Sequence, residues 1–144
     1  MQSQFYTLKS RVSGVVALAV LAGLVAGCAG TSPRITRDTP AEEKHKVVAD
    51  RAQERWDALV KGDVSTAYTY MSPGSRASTS LELYKAKVKP GMWRQAKVER
   101  AACEGEVCQV TIRITYDAKR MKGIETPITE NWIIENGTPW YVYR

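Results

Sequence analysis

Apolar residues repeat every three or four positions between Thr39 and Val88, and this period predicts helices. The first helix is expected from Thr39, its N-cap, to about Lys61, and the residues on its apolar face are Val48, Ala52, Trp56, Leu59 and Val60. A second helix is expected over 64–71 and a third over 80–87. The Ser-Pro-Gly-Ser stretch between them is predicted to be a break, because proline and glycine interrupt secondary structure.

After Trp93 the apolar period changes to two, which predicts strands. Four are expected, over 94–103, 107–116, 124–135 and 138–144, with a charged loop over 117–123 and a hairpin turn at Asn136-Gly137. The second strand alternates between apolar and polar residues, as in an antiparallel sheet covered on one side. We therefore predict an α+β domain in which three N-terminal helices pack on a four-stranded antiparallel sheet.

The N-terminal segment has a different pattern, which is typical of an export signal. Lys9 and Arg11 are the only charged residues before Cys28, and residues 12–27 are uncharged and largely apolar. A membrane-spanning helix needs about 20 apolar residues, so this run is short for a span. We interpret residues 1–27 as a signal peptide.

The end of this segment, Leu24-Val25-Ala26-Gly27-Cys28, resembles the lipobox of bacterial lipoproteins. The resemblance implies cleavage before Cys28 and attachment of acyl chains, palmitate among them, to Cys28. Two or more acyl chains hold a protein lastingly to a membrane. Ala29 follows the cysteine, which implies the outer membrane of a Gram-negative cell, with the domain facing the periplasm.

The chain that remains after cleavage divides into a tether and one domain. Residues 28–40 are small, polar and proline-bearing, so a flexible tether is expected there, and residues 41–144 are expected to form the domain. Without Lys9 and Arg11 the chain has 19 basic and 15 acidic residues, a net charge of +4. This excess is too small to indicate nucleic-acid binding, and an exported domain meets little nucleic acid, so we expect no such partner.

Two cysteines remain once Cys28 is assigned to lipid. An even number of cysteines in an exported chain predicts a disulfide between Cys103 and Cys108, across a short hairpin loop. Cys103 has the strand parity of polar residues and Cys108 that of apolar ones, so a β-bulge is expected near Ala101-Ala102. His45 is the only histidine, so we expect no metal site and no cofactor.

Several stretches of the domain resemble the nuclear transport factor 2-like superfamily, a cystatin-like α+β cone. They are RWDALVKGD at 55–63, Ala67-Tyr68, SPGSR at 72–76 and ENWIIENGTPWYV at 130–142. The resemblance implies a long helix and two shorter ones across a strongly curved sheet, with a cavity at the open end of the cone. It also implies that homodimers through paired sheets are an option.

The superfamily contains both enzymes and binding domains, so the fold does not decide the activity. Members similar to ketosteroid isomerase use a tyrosine on the first helix and a carboxylate base in the cavity. Here Trp56 takes the comparable place, and residues 72–76 supply no acid. His45 lies too near the start of the first helix to sit deep in a cavity. We expect a binding or protein-interaction module rather than an enzyme.

Glu130 is the candidate catalytic residue of the alternative hypothesis. It shares strand parity with Trp132 and Ile134, so one interpretation places it in the cavity as the base of an isomerase- or dehydratase-like enzyme. The favoured interpretation pairs Glu130 with an arginine such as Arg113 or Arg55.

Two sets of residues are candidate binding surfaces. The candidate cavity lining is Trp56, Tyr68, Tyr84, Tyr116, Glu130 and Trp132, although aromatic residues are more often core. A candidate contact with anionic surfaces is Lys85, Lys87, Lys89, Arg94 and Lys97, unless this strip is ordinary solvated surface. We predict a lipid-anchored envelope protein whose domain binds another envelope protein or a small apolar ligand.

Overall fold

The structure is a computed structural model that describes residues 34–144. The predicted signal peptide, the lipobox and the lipid site at Cys28 lie outside the described residues. Four helices come first: α1 (Ala41–Val60), α2 (Val64–Thr69), α3 (Pro73–Ser78) and α4 (Leu81–Lys87). No helix in the described part of the chain is long and apolar enough to cross a membrane.

The prediction of three helices is wrong, because the expected break at 72–75 starts α3 instead. The Ser72 hydroxyl caps this helix by accepting the Ser75 N–H at 3.1 Å, and Pro73 occupies the first helical turn. Proline is favoured there because its missing N–H would have no helical partner. The same Ser-Pro pair that indicates a turn is therefore also a helix start.

Four strands follow the helices: β1 (Trp93–Glu104), β2 (Val107–Ala118), β3 (Met121–Glu135) and β4 (Thr138–Tyr141). They form one antiparallel sheet in the order β1-β2-β3-β4, which confirms the predicted four-stranded sheet. The charged loop expected over 117–123 is mostly strand, since β2 and β3 continue to a tight turn where Lys119 has a φ of 51°. The last strand ends at Tyr141, three residues earlier than expected.

The predicted β-bulge is present, but it lies at Glu99 rather than near Ala101-Ala102. Val98 faces Ile112 and Arg100 faces Thr111, so Glu99 is the extra residue. The bulge reverses the parity of β1 and brings Cys103 opposite Cys108. The predicted disulfide between them is confirmed, and their Cα atoms are 4.0 Å apart.

The main core lies between α1 and the covered face of the sheet. Its largest wholly buried side chains include Leu59 of α1, Ile112 of β2 and Trp132 of β3. A smaller cluster of Val64, Met71 and Tyr84 lies under the short helices. The described residues, 34–144, belong to one compact unit, which contains the described core and the disulfide.

The chain joins this core before the predicted domain start at Ala41. Ile35 is buried, and its N–H donates to the Gly137 carbonyl at 2.9 Å. Asn136 and Gly137 have φ values of 52° and 75°, as a type I′ hairpin turn requires. Part of the stretch predicted as tether therefore packs against the β3–β4 turn.

The C-terminal residues are fastened to the helical half of the domain. The Tyr141 N–H donates to the Tyr70 carbonyl at 2.9 Å, and the Ser72 N–H donates to the Tyr141 carbonyl at 2.8 Å. The Ser75 hydroxyl then accepts the Tyr143 N–H at 3.1 Å. These bonds hold the C-terminal residues against the end of α2 and the start of α3, and the Tyr143 ring packs on the Tyr84 ring of α4.

Candidate functional site

Arg55 of α1 and Glu130 of β3 meet inside the domain. Arg55 lies on the covered face of α1, next to Trp56, and Glu130 lies on the covered face of the sheet, opposite Val110. The Arg55 Nη1 donates to Glu130 Oε1 at 2.7 Å. Arg55 is 3% exposed and Glu130 is 7% exposed, so both charges are withdrawn from water and depend on each other.

Both oxygens of Glu130 are engaged by donors of the protein. Trp56 Nε1 donates to Oε1 at 3.1 Å, and Trp132 Nε1 donates to Oε2 at 3.2 Å. Bonds to the charged form stabilise the carboxylate. Three donors, among them the buried guanidinium of Arg55, occupy most of the lone pairs of the carboxylate, whereas a general base needs one directed at its substrate. The arrangement therefore fits an ion-pair partner of Arg55 better than the catalytic base of the alternative hypothesis.

The guanidinium of Arg55 is held on its other sides by aromatic residues. Its Nη2 donates to the Tyr84 hydroxyl at 3.1 Å, and its centre lies 3.8 Å from the centroid of the Tyr141 ring. Burial alone lowers the pKa of Arg55, but Glu130, Tyr84 and Tyr141 outweigh it, and the pKa is raised above its usual value. The Nε of Arg55 is buried and has no hydrogen-bond partner within residues 34–144.

A cavity of about 270 Å³ opens beside this ion pair. Its charged and polar wall consists of Arg55, Glu130, Tyr84 and Thr129. Its remaining wall is aromatic and aliphatic: Trp56, Leu59, Val88, Trp93, Ile128, Tyr141 and Tyr143. Burial raises the pKa of the Tyr84 and Tyr141 phenols above the usual value of 10.0, so both are neutral donors at neutral pH.

Three of the six predicted lining residues reach this cavity, namely Trp56, Tyr84 and Glu130. The other three predicted residues do not line the cavity and make contacts elsewhere in the domain. Tyr68 donates to the Thr79 carbonyl at 2.8 Å, Tyr116 lies 3.4 Å from the Thr126 hydroxyl, and Trp132 is wholly buried.

Among the aromatic lining residues, sequence reasoning missed Tyr143. Tyr143 was expected in a strand that ends before it, and its place depends on the bond to Ser75. The aromatic repeat at 141 and 143 was a usable signal, since residues two apart in an extended chain point the same way.

The predicted anionic-contact residues divide into two groups. Lys85 and Lys87 of α4 and Lys89 just after it are exposed, and the Lys87 ammonium lies 6.0 Å from the centroid of the Tyr143 ring in the cavity wall. Arg94 is ion-paired with Asp117. Lys97 pairs in register with Arg113, on the uncovered face of the sheet.

Two larger hollows occur elsewhere, and neither brings buried charges together. One of about 580 Å³ lies between Ile35 and the two hairpin turns, and one of about 560 Å³ lies beside His45 and the disulfide. His45 accepts the Cys103 N–H at 3.2 Å through Nε2, which is a structural contact. Residues 34–144 contain no group of three metal-binding side chains. The smaller cavity is the better candidate, because charged and aromatic groups converge there.

Comparison with known proteins supports the fold but identifies no activity. No family model matches the sequence, and no curated protein matches it either. A solved structure from Campylobacter jejuni, described as an NTF2-like transpeptidase, superposes with a TM-score of 0.50 at 9% identity. The alignment covers 66% of this chain and 96% of that one. At this identity the likeness shows the fold alone, and it supports the predicted nuclear transport factor 2-like cone.

Proposed function

We propose that this domain is a binding module that receives a compact apolar or aromatic group in the cavity beside Arg55 and Glu130. The group belongs to a small ligand or to a side chain of another envelope protein. The observation that carries the proposal is the internally neutralised ion pair, with both carboxylate oxygens engaged, in the wall of a largely aromatic cavity.

The size and chemistry of the cavity support a compact guest. Ligand pockets usually measure about 300–1,000 Å³, and this cavity of about 270 Å³ is at the lower end. Because Glu130 already offsets the charge of Arg55, an anion gains little from it.

A fluorescence titration with N-phenyl-1-naphthylamine, an aromatic probe without a charge at neutral pH, tests the cavity. Residues 34–144 should bind this aromatic probe with saturation and a stoichiometry of one. Val88→Phe adds a ring to the cavity wall and should weaken binding about tenfold or more, since even one misplaced methylene costs on the order of 1–3 kcal/mol. Val107→Phe, at a residue 57% exposed and outside the cavity, is the matched control and should bind normally.

A titration without saturation, or one that Val88→Phe leaves unchanged, would reject the cavity as a binding site. A thermal melt of each variant verifies that it is folded. The hydrogen bonds of Glu130 do not support a catalytic role for this residue. The word transpeptidase belongs to the description of the Campylobacter jejuni protein, and we do not propose that activity for this chain.

We also propose that the protein is lipid-anchored through Cys28 to the outer membrane, on the support of the lipobox resemblance at 24–28. Mass spectrometry of the protein from its native membrane should show an acylated Cys28 as the first residue. The full chain with Cys28→Ala should lose radiolabelled palmitate. An unmodified Cys28 would refute the anchor and leave the cavity proposal untouched.

The partner-binding surface of the module stays a prediction, and so does a homodimer through paired sheets. The uncovered sheet face carries polar residues, including Arg113, whose Nε donates to Glu99 at 2.6 Å. Size-exclusion chromatography with light scattering would report whether residues 34–144 form dimers.

A further inference from the structure

The end of the sheet that lies farthest from Ile35 carries a surface that the cavity proposal does not use. Ile35 lies at the β3–β4 turn, and the β1–β2 turn is beside it, since the Ile134 N–H donates to the Glu106 carbonyl at 2.8 Å. At the other end, Trp93 pairs in register with Tyr116, and Arg94 is ion-paired with Asp117. The β2–β3 turn and the α4–β1 connection therefore share that end.

Large apolar side chains are exposed at this end. Met92, in the α4–β1 connection, is 44% exposed, and Met121, beside the β2–β3 turn, is 64% exposed. Leu83, which is 46% exposed, lies on α4, the helix that carries Lys85 and Lys87. Val107, the other large apolar side chain that stands out as exposed within residues 34–144, lies at the opposite end of the sheet. Single exposed apolar residues are ordinary, but their concentration at one end indicates a contact surface.

Basic residues flank these apolar side chains along the chain. The basic end, as we call this surface, carries six exposed cationic residues: Lys85, Lys87, Lys89, Lys119, Arg120 and Lys122. The nearby acidic residues offset them only in part. Asp63 and Glu82 lie close to Lys85, and Asp117 is already paired with Arg94.

We propose that the basic end docks on the surface of an anionic lipid bilayer. Exposed apolar side chains enter the boundary between headgroups and acyl chains, while lysines and arginines around them contact anionic headgroups. A hydrophilic polyanion would be recognised by the cations but would leave Leu83, Met92 and Met121 in water. The combination of both residue types therefore favours a membrane, and the proposal is independent of the cavity and of the lipid anchor.

Vesicle co-sedimentation with residues 34–144, the part that contains the described core and the disulfide, tests the proposal. Vesicles are made of phosphatidylcholine alone or with about 30% phosphatidylglycerol. We expect binding to the anionic vesicles only, weakened at high salt because ions screen surface charges. Lys87→Glu/Lys89→Glu/Arg120→Glu should lower the affinity on the order of 100-fold, and Leu83→Ser/Met92→Ser/Met121→Ser about tenfold or more.

Arg34→Glu/Arg37→Glu/Lys46→Glu is the matched control, because it makes the same change of net charge away from the basic end. It should bind anionic vesicles nearly as well as the unchanged protein, and thermal melts should show all variants folded. Equal binding to both kinds of vesicle would overturn the proposal. A control variant that loses as much affinity for anionic vesicles as the charge-reversed variant of the basic end would overturn it as well. Binding to heparin that survives the serine substitutions, without vesicle binding, would assign the surface to a polyanion instead.

Discussion

Arg55 and Glu130 are 75 residues apart in the chain, yet they form an ion pair of 2.7 Å in which neither side chain is more than 7% exposed. Each charge is therefore tolerated in the interior only because of the other. The pair also joins α1 to β3 in the wall of the cavity. Its energetics can be measured, because either partner can be replaced separately.

Glu130→Gln should destabilise the domain by about 3–5 kcal/mol, since it leaves the Arg55 charge buried without a counter-ion. Arg55→Met should cost a similar amount, because Glu130 is then the unpaired charge. The double variant should lose clearly less than the sum of the two. Urea unfolding of the four proteins measures the coupling, and strictly additive losses would show that the pair contributes no coupling energy.

Alkaline pH should destabilise the domain through its buried tyrosines. The pKa values of Tyr84 and Tyr141 are raised by burial above 10.0, their value in an unfolded chain. Above pH 10 the unfolded state releases protons that the folded state retains. The free energy of unfolding should then fall by about 1.4 kcal/mol per pH unit for each tyrosine, while below pH 10 their contribution is constant.

Urea unfolding between pH 8 and 11.5 tests this dependence against Tyr141→Phe, which should remove the contribution of that residue. A free energy of unfolding that stays level above pH 10, or a slope that Tyr141→Phe leaves unchanged, would contradict the expectation.

The contact between Ile35 and the β3–β4 turn makes Gly137 hard to replace. A Cβ at Gly137 would lie 2.6 Å from the Ile35 carbonyl oxygen, and its φ is +75°. Gly123 has a similar φ of +67°, but a Cβ there meets nothing within 4 Å. Gly137→Ala should cost about 2–4 kcal/mol and Gly123→Ala about 1–2 kcal/mol, because only the first adds a steric clash to the backbone strain. Equal losses in thermal or urea unfolding would mean that Ile35 does not pack as described.

Reduction of the disulfide should destabilise the domain modestly. Cys103 and Cys108 are five positions apart, so the loop they close is short and the stabilisation should be about 2 kcal/mol. Dithiothreitol should lower the unfolding midpoint of the unchanged protein by the corresponding amount. Cys103→Ala/Cys108→Ala is the control, and its midpoint should not respond to the reductant.

The apolar periods were sufficient to predict most of the secondary structure. A period near 3.6 before Val88 and of two after Trp93 separates the helices from the strands, because each period brings apolar side chains onto one face of its own kind of backbone. α3 was not predicted, because Ser72-Pro73 indicates both a turn and a helix start. The surrounding packing favours the helix, in which Ser72 and Ser75 are buried.

The tertiary structure alone decided the site. Strand parity placed Glu130 on the covered face of the sheet, but only the crossing of α1 over the sheet selected Arg55 rather than Arg113 as its partner. Arg113 lies on the uncovered face, paired with Glu99. Likewise, Tyr143 reaches the cavity through its bond to Ser75 of α3. Periodicity is a property of neighbouring residues, whereas a cavity is made by residues distant in the chain, and their meeting depends on how helices and sheet pack.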